Sequence, residues 1–312
     1  MASGEVSRGI VVRIKGSGYF VTSCGEGVRC SLRGRFRLGE SPEEVLPVVG
    51  DNVDFRREQS PDHRGPTGLI VAIHPRKSIF ARSAPYGKKK YRILGANLDY
   101  VLLVVAPEEP PLNLRLVDRM LVAGECGGMK PVICVNKMDL AGDTGEVKEM
   151  LFPYEKMGYT VVYCSALARK GLARLKRLMS GKKSIMVGPS GAGKTSLVSV
   201  LQPGLEVKVR RVSTRTGKGR HTTTHFELHP LAGGGYLGDT PGIREFGIWG
   251  VTHRNLDRYF RDFVPFLEKC RFATCVHHRE PGCAIKDAVS QGLISRERHE
   301  SYVRILETLP PG

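Results

Sequence analysis

The sequence lacks any apolar run of about 18 residues, the length that a membrane-spanning helix requires. It also lacks a basic amphipathic helix at the amino terminus, a secretory segment, and a stretch before the first predicted strand long enough for a transit peptide. We therefore expect a cytoplasmic protein without membrane contact. Outside an oxidising compartment, the eight cysteines are not expected to form a disulfide framework.

Acidic residues are also scarce, with 31 Asp and Glu against 48 Lys and Arg and a formal net charge of +17. Such an excess favours a polyanionic partner, and RNA is favoured over an anionic membrane because no membrane-binding segment is evident. The 312 residues suffice for two or three domains of ordinary globular composition. Basic residues recur in predicted loops: Arg33, Arg35 and Arg37; Arg56 and Arg57; Lys88, Lys89, Lys90 and Arg92; Arg210, Arg211, Arg215, Lys218 and Arg220.

A glycine-rich motif of the form G-x-x-x-x-G-K-[ST] is present as Gly188-Pro189-Ser190-Gly191-Ala192-Gly193-Lys194-Thr195. It follows the short apolar run 184–187, which suits a buried strand, and precedes a predicted helix over 195–201. Backbone N–H groups of such a loop wrap around phosphates, Lys194 reaches the β and γ oxygens, and the Thr195 hydroxyl ligates Mg²⁺. We expect this loop, extended through Ser196, to bind the phosphates of a nucleotide.

Two further motifs identify the base. Asn136-Lys137-Met138-Asp139 follows the apolar run 132–135, and Ser165-Ala166-Leu167 follows the β-rich run 160–164. Ligand sites of open α/β sheets lie at such strand ends. The Asp139 carboxylate can accept two hydrogen bonds from guanine, and adenine offers no such pair of donors. The predicted nucleotide is therefore GTP.

The run Asp239-Thr240-Pro241-Gly242 is expected to form the third wall of this site. In GTPases the aspartate supports Mg²⁺, here together with Thr195, and the N–H of Gly242 senses the γ-phosphate. The glutamine that orients the attacking water in many GTPases is absent after this run. Ile243 stands there and cannot form a hydrogen bond, so another group must position the water.

His221 is the candidate for that task. It lies in the segment 217–224, between the phosphate loop and the D-T-P-G run, where a switch loop must lie. Thr222 or Thr223 would complete the contacts with Mg²⁺ and the γ-phosphate, and His221 could orient or polarise water. The alternative is that His221 and Arg220 are solvated loop residues or touch RNA. The predicted catalytic residues are Lys194, His221, Thr222 and Thr223.

The order of these motifs differs from that of a Ras-like GTPase, in which the phosphate loop comes first and N-K-x-D near the end. Here the base-reading motifs precede the phosphate loop, so the order is a circular permutation. A short helix predicted over 171–179 would join what are the two termini of an unpermuted domain. The sequence thus predicts an α/β fold that contains a circularly permuted P-loop GTPase domain.

Four metal-ligating residues lie close together near the carboxyl end. Cys270, Cys275, His277 and Cys283 have the spacing C-x4-C-x-H-x5-C, which suits one tetrahedral Cys₃His zinc site. A site closed by four protein ligands is structural, and His278 competes with His277 for the histidine position. The other cysteines are expected to be reduced thiols: Cys24, Cys30, Cys126, Cys134 and Cys164.

Short β-rich runs separated by glycine turns occupy the amino-terminal region, at 9–15, 19–23, 27–32, 51–55 and 68–73. Five short strands suit a small OB-type β-barrel, and an SH3-like barrel fits almost as well. OB barrels often bind nucleic acid through a basic face that carries aromatic residues. Tyr19, Phe20 and Phe36 are candidates for that face, and each is equally plausible as a core residue.

The predicted domains are an OB-fold RNA-binding domain at 1–74, a linker at 75–95, the GTPase domain at 96–246 and a mainly helical zinc-binding domain at 247–312. The linker contains Pro85-Tyr86-Gly87 and a lysine run without sustained periodicity, so we expect it to be mobile or bound to RNA. Ser295 is predicted to cap a final helix with an apolar stripe. Because the segment 239–246 leads directly into the last domain, nucleotide state could move that domain.

The motifs together resemble the circularly permuted GTPases that depend on the small ribosomal subunit, the RsgA or YjeQ family. The resemblance covers nearly the whole chain, including residues 220–223 and the zinc segment 270–283. It implies a cytoplasmic factor that binds the 30S subunit and its 16S rRNA near the decoding region and acts late in maturation. It also implies weak hydrolysis of GTP to GDP that the subunit stimulates, with Mg²⁺ bound beside GTP. We expect the protein to be a monomer.

Two other classes of function remain open on the sequence. An RNA-binding scaffold could hold GTP only as a structural ligand, and it would show no turnover with or without ribosomal subunits. A GTPase of translation or signalling could act on a protein partner, and it would be recovered from cells without rRNA.

Overall fold

Five strands near the amino terminus close into a barrel in a computed structural model that describes residues 5–33, 46–58, 67–83, 91–203, 226–239 and 248–309. These strands are β1 Val6–Lys15, β2 Gly18–Ser23, β3 Glu26–Leu32, β4 Asn52–Glu58 and β5 Thr67–Ile73. They follow one another around the barrel in the order β1-β2-β3-β5-β4, with β3 parallel to β5. Alternate apolar side chains, such as Val21, Phe55 and Ile70, fill the interior. This closed Greek-key arrangement confirms the predicted OB-type barrel.

A two-stranded hairpin follows the barrel, with β6 at Ile79–Ser83 and β7 at Tyr91–Ala96. These strands lie within the predicted linker 75–95, for which the sequence predicts no regular structure. Phe80, Ala81 and Ile93 are buried, so the hairpin is held by packing. Each strand contributes too few apolar positions to produce a recognisable period beside the proline and lysine residues of the intervening segment.

A six-stranded sheet forms the centre of the molecule. Its strands are β8 Tyr100–Val105, β9 Lys130–Val135, β10 Thr160–Tyr163, β11 Lys183–Val187, β12 Glu227–Pro230 and β13 Tyr236–Asp239. Their spatial order is β10-β9-β8-β11-β13-β12, and only β12 at the edge is antiparallel to its neighbour. The parallel strands are nearly continuous apolar runs because both faces of the sheet are covered. Their carboxyl ends therefore meet at one edge, where the predicted motifs at the ends of β9, β10, β11 and β13 begin.

Helices connect these strands: α1 Leu114–Cys126, α2 Thr144–Lys156, α3 Leu172–Met179 and α4 Lys194–Leu201. Helix α3 buries Leu172, Leu175 and Met179 and leads directly into β11, as predicted for the junction created by permutation. No helix in the described part of the chain has the length and apolar character needed to cross a membrane.

The carboxyl-terminal region contains two 3-10 helices, Leu256–Tyr259 and Val264–Lys269, and the helices α5 Ala284–Ser290 and α6 Arg296–Glu307. Ser295 caps α6 as predicted, because its side chain accepts a hydrogen bond from the Arg298 N–H at 3.2 Å. Phe260, Phe263 and Tyr302 form a core that also includes Val122 of α1. The carboxyl-terminal region is thus packed against α1.

A buried arginine fastens this contact. Arg298 of α6 donates to Asp262 at 2.8 Å and also to Asp118 on α1. Tyr154 of α2 donates to the same Asp118 carboxylate at 2.6 Å, and the Arg298 guanidinium lies 4.5 Å from the ring centre of Phe260. Arg298 therefore links the carboxyl-terminal region to α1 directly and to α2 through the shared Asp118 carboxylate.

The barrel is joined to the sheet through the turn that precedes β4. Gly50 has a φ of +93°, and a Cβ there would lie 1.9 Å from the Ala96 carbonyl oxygen, so only glycine fits. Its own carbonyl accepts hydrogen bonds from Asn97 at 3.2 Å and from Lys183 at 3.3 Å. Because Lys183 opens β11, the barrel contacts the strand that carries the phosphate loop.

Candidate nucleotide and metal sites

The phosphate loop follows β11 and ends at the first residue of α4. Gly188 has a φ of +149°, and a Cβ there would lie 2.0 Å from the Val104 carbonyl oxygen. Gly193 has a φ of +85°, and a Cβ there would lie 2.2 Å from Nδ2 of Asn136. Glycine is therefore required at both positions, which brings the loop backbone close to β8 and to the N-K-x-D motif. The amino terminus of α4 points its free N–H groups into the loop.

Lys194 lies inside this loop. Its Nζ donates to the carbonyl oxygens of Gly188 at 2.7 Å and Pro189 at 2.8 Å. Burial lowers the pKa of its ammonium group. The charge is held at the centre of the loop, where the β and γ oxygens of a nucleotide would lie.

Asn136 connects three of the predicted motifs. Its Nδ2 donates to the Ala192 carbonyl of the phosphate loop at 3.0 Å, and its Oδ1 accepts from the Ala166 N–H at 3.0 Å. The side chain is buried, so these bonds fix the base-reading and phosphate-binding loops relative to each other. Sequence reasoning grouped Asn136 with the nucleotide contacts and missed this role.

The other base-reading residues lie around Asn136. Asp139 is exposed at the end of the turn after β9, and Lys137 donates from Nζ to the Glu109 carbonyl at 2.8 Å. Met138 donates its N–H to the Cys164 carbonyl at 3.1 Å. Ser165 is buried and accepts a hydrogen bond from the Ala168 N–H at 2.9 Å. The structure thus brings N-K-x-D, Ser165-Ala166 and the phosphate loop to one edge of the sheet.

The predicted magnesium ligands follow or end two neighbouring strands, β11 and β13. Thr195 is exposed in the first turn of α4, and Asp239 ends β13, which pairs with β11 in parallel. Ser190 and Ser196, predicted to contact phosphate, lie in the loop and in the first turn of α4. The predicted residues His221, Thr222, Thr223 and Gly242 lie outside the described residues.

The four predicted zinc ligands converge. Their ligand atoms all lie within 4.8 Å of one another, and Nδ1 of His277 is 3.5 Å from Sγ of both Cys270 and Cys283. Tetrahedral zinc with bonds of about 2.0–2.3 Å separates its ligand atoms by about 3.5–3.8 Å. The donor set and its spacing fit zinc, and His277 rather than His278 joins the cluster.

The loop that carries His277 is held by Glu280. Its carboxylate accepts hydrogen bonds from the N–H groups of Val276 at 3.1 Å and of His278 and Arg279 at 3.0 Å. Burial opposes ionisation of Cys283, but in the metal-free form a protonated His277 ring and N–H groups of α5 lower its thiol pKa to about 7. A thiolate is therefore readily formed at one corner of the cluster, as metal ligation requires.

The cysteines outside the cluster are free thiols in the structure. Cys134 on β9 and Cys164 just after β10 are buried neighbours, with 3.6 Å between their sulfurs. On the barrel, Tyr19 belongs to the core, whereas Phe20 lies partly exposed beneath Arg13, whose guanidinium is 4.0 Å from the ring centre. Phe36 lies outside the described residues. Only the Phe20 and Arg13 pair therefore has the character of a nucleic-acid contact among the described candidates.

Comparison with known proteins gives a consistent result. The family model of the RsgA GTPase matches residues 73–249, and the model of the RsgA N-terminal domain matches residues 8–63. The small ribosomal subunit biogenesis GTPase RsgA of Gemmatimonas aurantiaca is 41% identical over 303 residues, which cover 96% of this chain and 97% of that protein. The protein of the same name from Chlorobaculum parvum is 38% identical over 310 residues, 98% of this chain and 99% of that one.

Solved structures agree with these sequences. YjeQ from Thermotoga maritima has a TM-score of 0.77 at 33% identity and covers 98% of this chain and 99% of its own. YloQ, described as a circularly permuted GTPase, has a TM-score of 0.75 at 26% identity and covers 97% and 94%. These similarities confirm the predicted fold class. A chain that shares both its motif order and nearly its full length with these proteins belongs to the RsgA family of circularly permuted GTPases.

Proposed function

We propose that this protein hydrolyses GTP to GDP and phosphate when it binds the small ribosomal subunit, and that it acts late in maturation of that subunit. The observation that carries the proposal is the convergence of N-K-x-D, Ser165-Ala166 and the phosphate loop through Asn136. Its relatives are named for small ribosomal subunit biogenesis, and the net charge of +17 suits an rRNA partner. A cytoplasmic, monomeric protein without membrane contact is part of the proposal.

Each part of the chain has an assigned role in this proposal. Segment 1–74 binds 16S rRNA, and segment 75–95 links it to the next domain. Segment 96–246 binds and hydrolyses GTP, and segment 247–312 holds one structural zinc. Lys194 and the loop N–H groups bind the phosphates, while Asp139 reads guanine. Thr195 and Asp239 hold Mg²⁺, which neutralises charge on the phosphates. Thr222 or Thr223 completes that shell and His221 orients the water.

The direct test is a GTPase assay with and without purified 30S subunits, with 50S subunits as the control. We expect slow turnover alone and an increase that saturates with 30S concentration, and binding that weakens steeply with salt as counterions are released. Absence of turnover under every condition would favour an RNA scaffold. Turnover that responds to a protein partner and not to 30S would favour a signalling role.

Base selectivity gives a prediction for Asp139. Asp139→Asn should weaken GTP binding by about 10²-fold or more, because the guanine donors lose their acceptor and meet an amide donor. Binding of XTP should improve, since the C2 carbonyl of xanthine can accept from that amide. Isothermal titration with GTP, ATP and XTP measures this. The control is Glu146→Gln, which replaces an exposed carboxylate on α2 by an amide. Equal affinity of the unmutated protein for GTP and ATP would contradict the guanine assignment.

Hydrolysis and binding are separated by a prediction for His221. His221→Ala should leave GTP affinity nearly unchanged and lower subunit-stimulated turnover by roughly 10²-fold, the scale of a positioned proton-handling group. Lys194→Ala should weaken both binding and turnover. His225→Ala, directly after that segment in the sequence, serves as the matched control. If the His221 variant keeps full stimulated turnover under saturating GTP and 30S, His221 does not act on the water.

A further inference from the structure

A carboxylate lies beside the histidine of the proposed zinc site, on the side away from the cysteines. Nδ1 of His277 faces Sγ of Cys270 and Cys283 at 3.5 Å each. The other ring nitrogen, Nε2, lies 3.4 Å from Oδ2 of Asp257. Asp257 precedes the first cysteine by more than ten residues and belongs to no metal-binding spacing.

Both partners are held in place by their own surroundings. The side chain of His277 is 2% exposed, and its backbone carbonyl accepts a hydrogen bond from His299 at 2.8 Å. Asp257 lies in the 3-10 helix Leu256–Tyr259, and its Oδ1 accepts from the Arg258 N–H at 2.9 Å. The neighbouring Leu256 is fully buried in the core shared with α1, so this helix has a fixed position.

The other described neighbours of the ring are aromatic. Phe263 and Tyr302 lie 6.3 Å and 6.1 Å from it between ring centres. The Tyr302 hydroxyl donates its proton to the Val276 carbonyl at 3.0 Å. Among the residues that the structure describes, Asp257 is the side-chain acceptor recorded at Nε2.

We propose that Asp257 is a positioning residue for the metal centre. A neutral imidazole has one N–H and one lone pair, and a carboxylate at Nε2 keeps the proton there. The lone pair of Nδ1 is then directed at the metal, and the hydrogen bond increases its basicity. Outer carboxylates of this kind typically change metal affinity by about 10–100-fold. The inference rests on the proposed zinc site and adds a residue that the ligand motif does not contain.

The inference has a consequence for domain organisation. The 3-10 helix of Asp257 packs on α1 through Leu256, and its carboxylate contacts the metal histidine. Zinc binding therefore orders the contact between the zinc loop and the GTPase domain as well as the loop itself. Loss of Asp257 should loosen the metal without disturbing the nucleotide site on the far edge of the sheet.

The test compares Asp257→Ala and Asp257→Asn with Glu268→Ala and Glu268→Gln. Glu268 is an exposed acid on the next 3-10 helix, so each control removes the same charge from the same region. Zinc affinity is measured on the full-length protein by competition with a chromophoric chelator. The absorption spectrum of the cobalt-substituted protein reports the tetrahedral site, and ¹⁵N shifts of His277 report the tautomer.

We expect Asp257→Ala to weaken zinc binding by about 10–100-fold relative to Glu268→Ala, and Asp257→Asn to lie between because its amide oxygen can still accept. Zinc affinities of both Asp257 variants within twofold of their controls would overturn the inference while the zinc site stands. Purified unmutated protein that binds neither zinc nor cobalt would instead overturn the zinc assignment itself. Circular dichroism establishes that each variant is folded, and Asp257→Asn carries the test if Asp257→Ala does not fold.

Discussion

Cys275→Ser is expected to abolish zinc retention, lowering the metal content from one zinc per chain to a small fraction. Structural zinc sites contribute about 10–16 kcal/mol of binding free energy in small peptides, and a serine hydroxyl does not replace a thiolate ligand. The zinc loop 270–283 should lose its order, and 30S affinity and stimulation should fall steeply. GTP affinity should change little. The six-stranded sheet and the phosphate loop pack in two cores, and the zinc cysteines belong to a third.

Atomic emission gives the zinc content, isothermal titration the GTP affinity, and sedimentation the 30S binding. Cys24→Ser is the matched control, because Cys24 is an exposed cysteine on the barrel. Undiminished 30S binding by the Cys275 variant would mean that the subunit is recognised through another surface. A full complement of zinc in that variant would remove Cys275 from the ligand set.

Arg298→Met should lower the free energy of unfolding by about 3–5 kcal/mol, the usual cost of removing one partner from a buried ionic network. Asp118 and Asp262 would be left without their shared cation at the boundary between α1 and α6. Both carboxylates raise the pKa of Arg298 above its usual value against the effect of burial. Arg298→Lys should recover only part of the loss, because an ammonium group cannot bridge both acids with a planar fork.

Denaturant unfolding of the zinc-loaded protein measures this effect. Arg296→Met is the control, since Arg296 is mostly exposed and pairs with Glu300 four residues later on the same helix. Such a pair contributes no more than about 0.5 kcal/mol. A loss at Arg298 equal to that at Arg296 would show that the aromatic core alone holds the carboxyl-terminal region against α1.

The sequence hypothesis that nucleotide state moves the last domain must accommodate this contact. Arg261 adds a second link, donating to Glu125 at 2.6 Å while its guanidinium lies 4.1 Å from the ring centre of Tyr159. The carboxyl-terminal region is therefore fastened to α1 and to the end of α2. A nucleotide-dependent movement would have to carry these helices with it or break both arginine contacts.

The nucleotide and zinc motifs were predictable because each is local in sequence and follows a recognisable strand or spacing. Parallel strands bring the ends of β9, β10 and β11 together, so their motifs could be combined before any coordinates were known. The bridging role of Asn136 was not visible in the sequence, because its partners are backbone groups. They are the N–H of Ala166 and the carbonyl of Ala192, and neither side chain indicates such a contact. The same is true of Asp257 and Arg298, whose partners lie far away in the sequence and are brought close only by packing.

The hairpin of β6 and β7 was missed for a related reason. Phe80 gains its burial from Phe226, with 5.7 Å between ring centres, and a Cβ added to Gly95 would lie 2.4 Å from that ring. The hairpin is therefore packed in part by a residue that comes much later in the chain. The periodicity of a short local sequence cannot reveal a strand that is stabilised by packing against such a distant residue.

The strand order also sets the sequence of events during synthesis. Strand β11 lies between β8 and β13, and β8, β9 and β10 all lie on one side of it. As the chain leaves the ribosome, the half of the sheet that carries N-K-x-D is complete before the phosphate loop has been made. The other edge of β11 then waits without a partner until β13 emerges. In an unpermuted GTPase the phosphate loop is synthesised first. In this protein the set of nucleotide-binding motifs is complete only when the end of the domain has been synthesised.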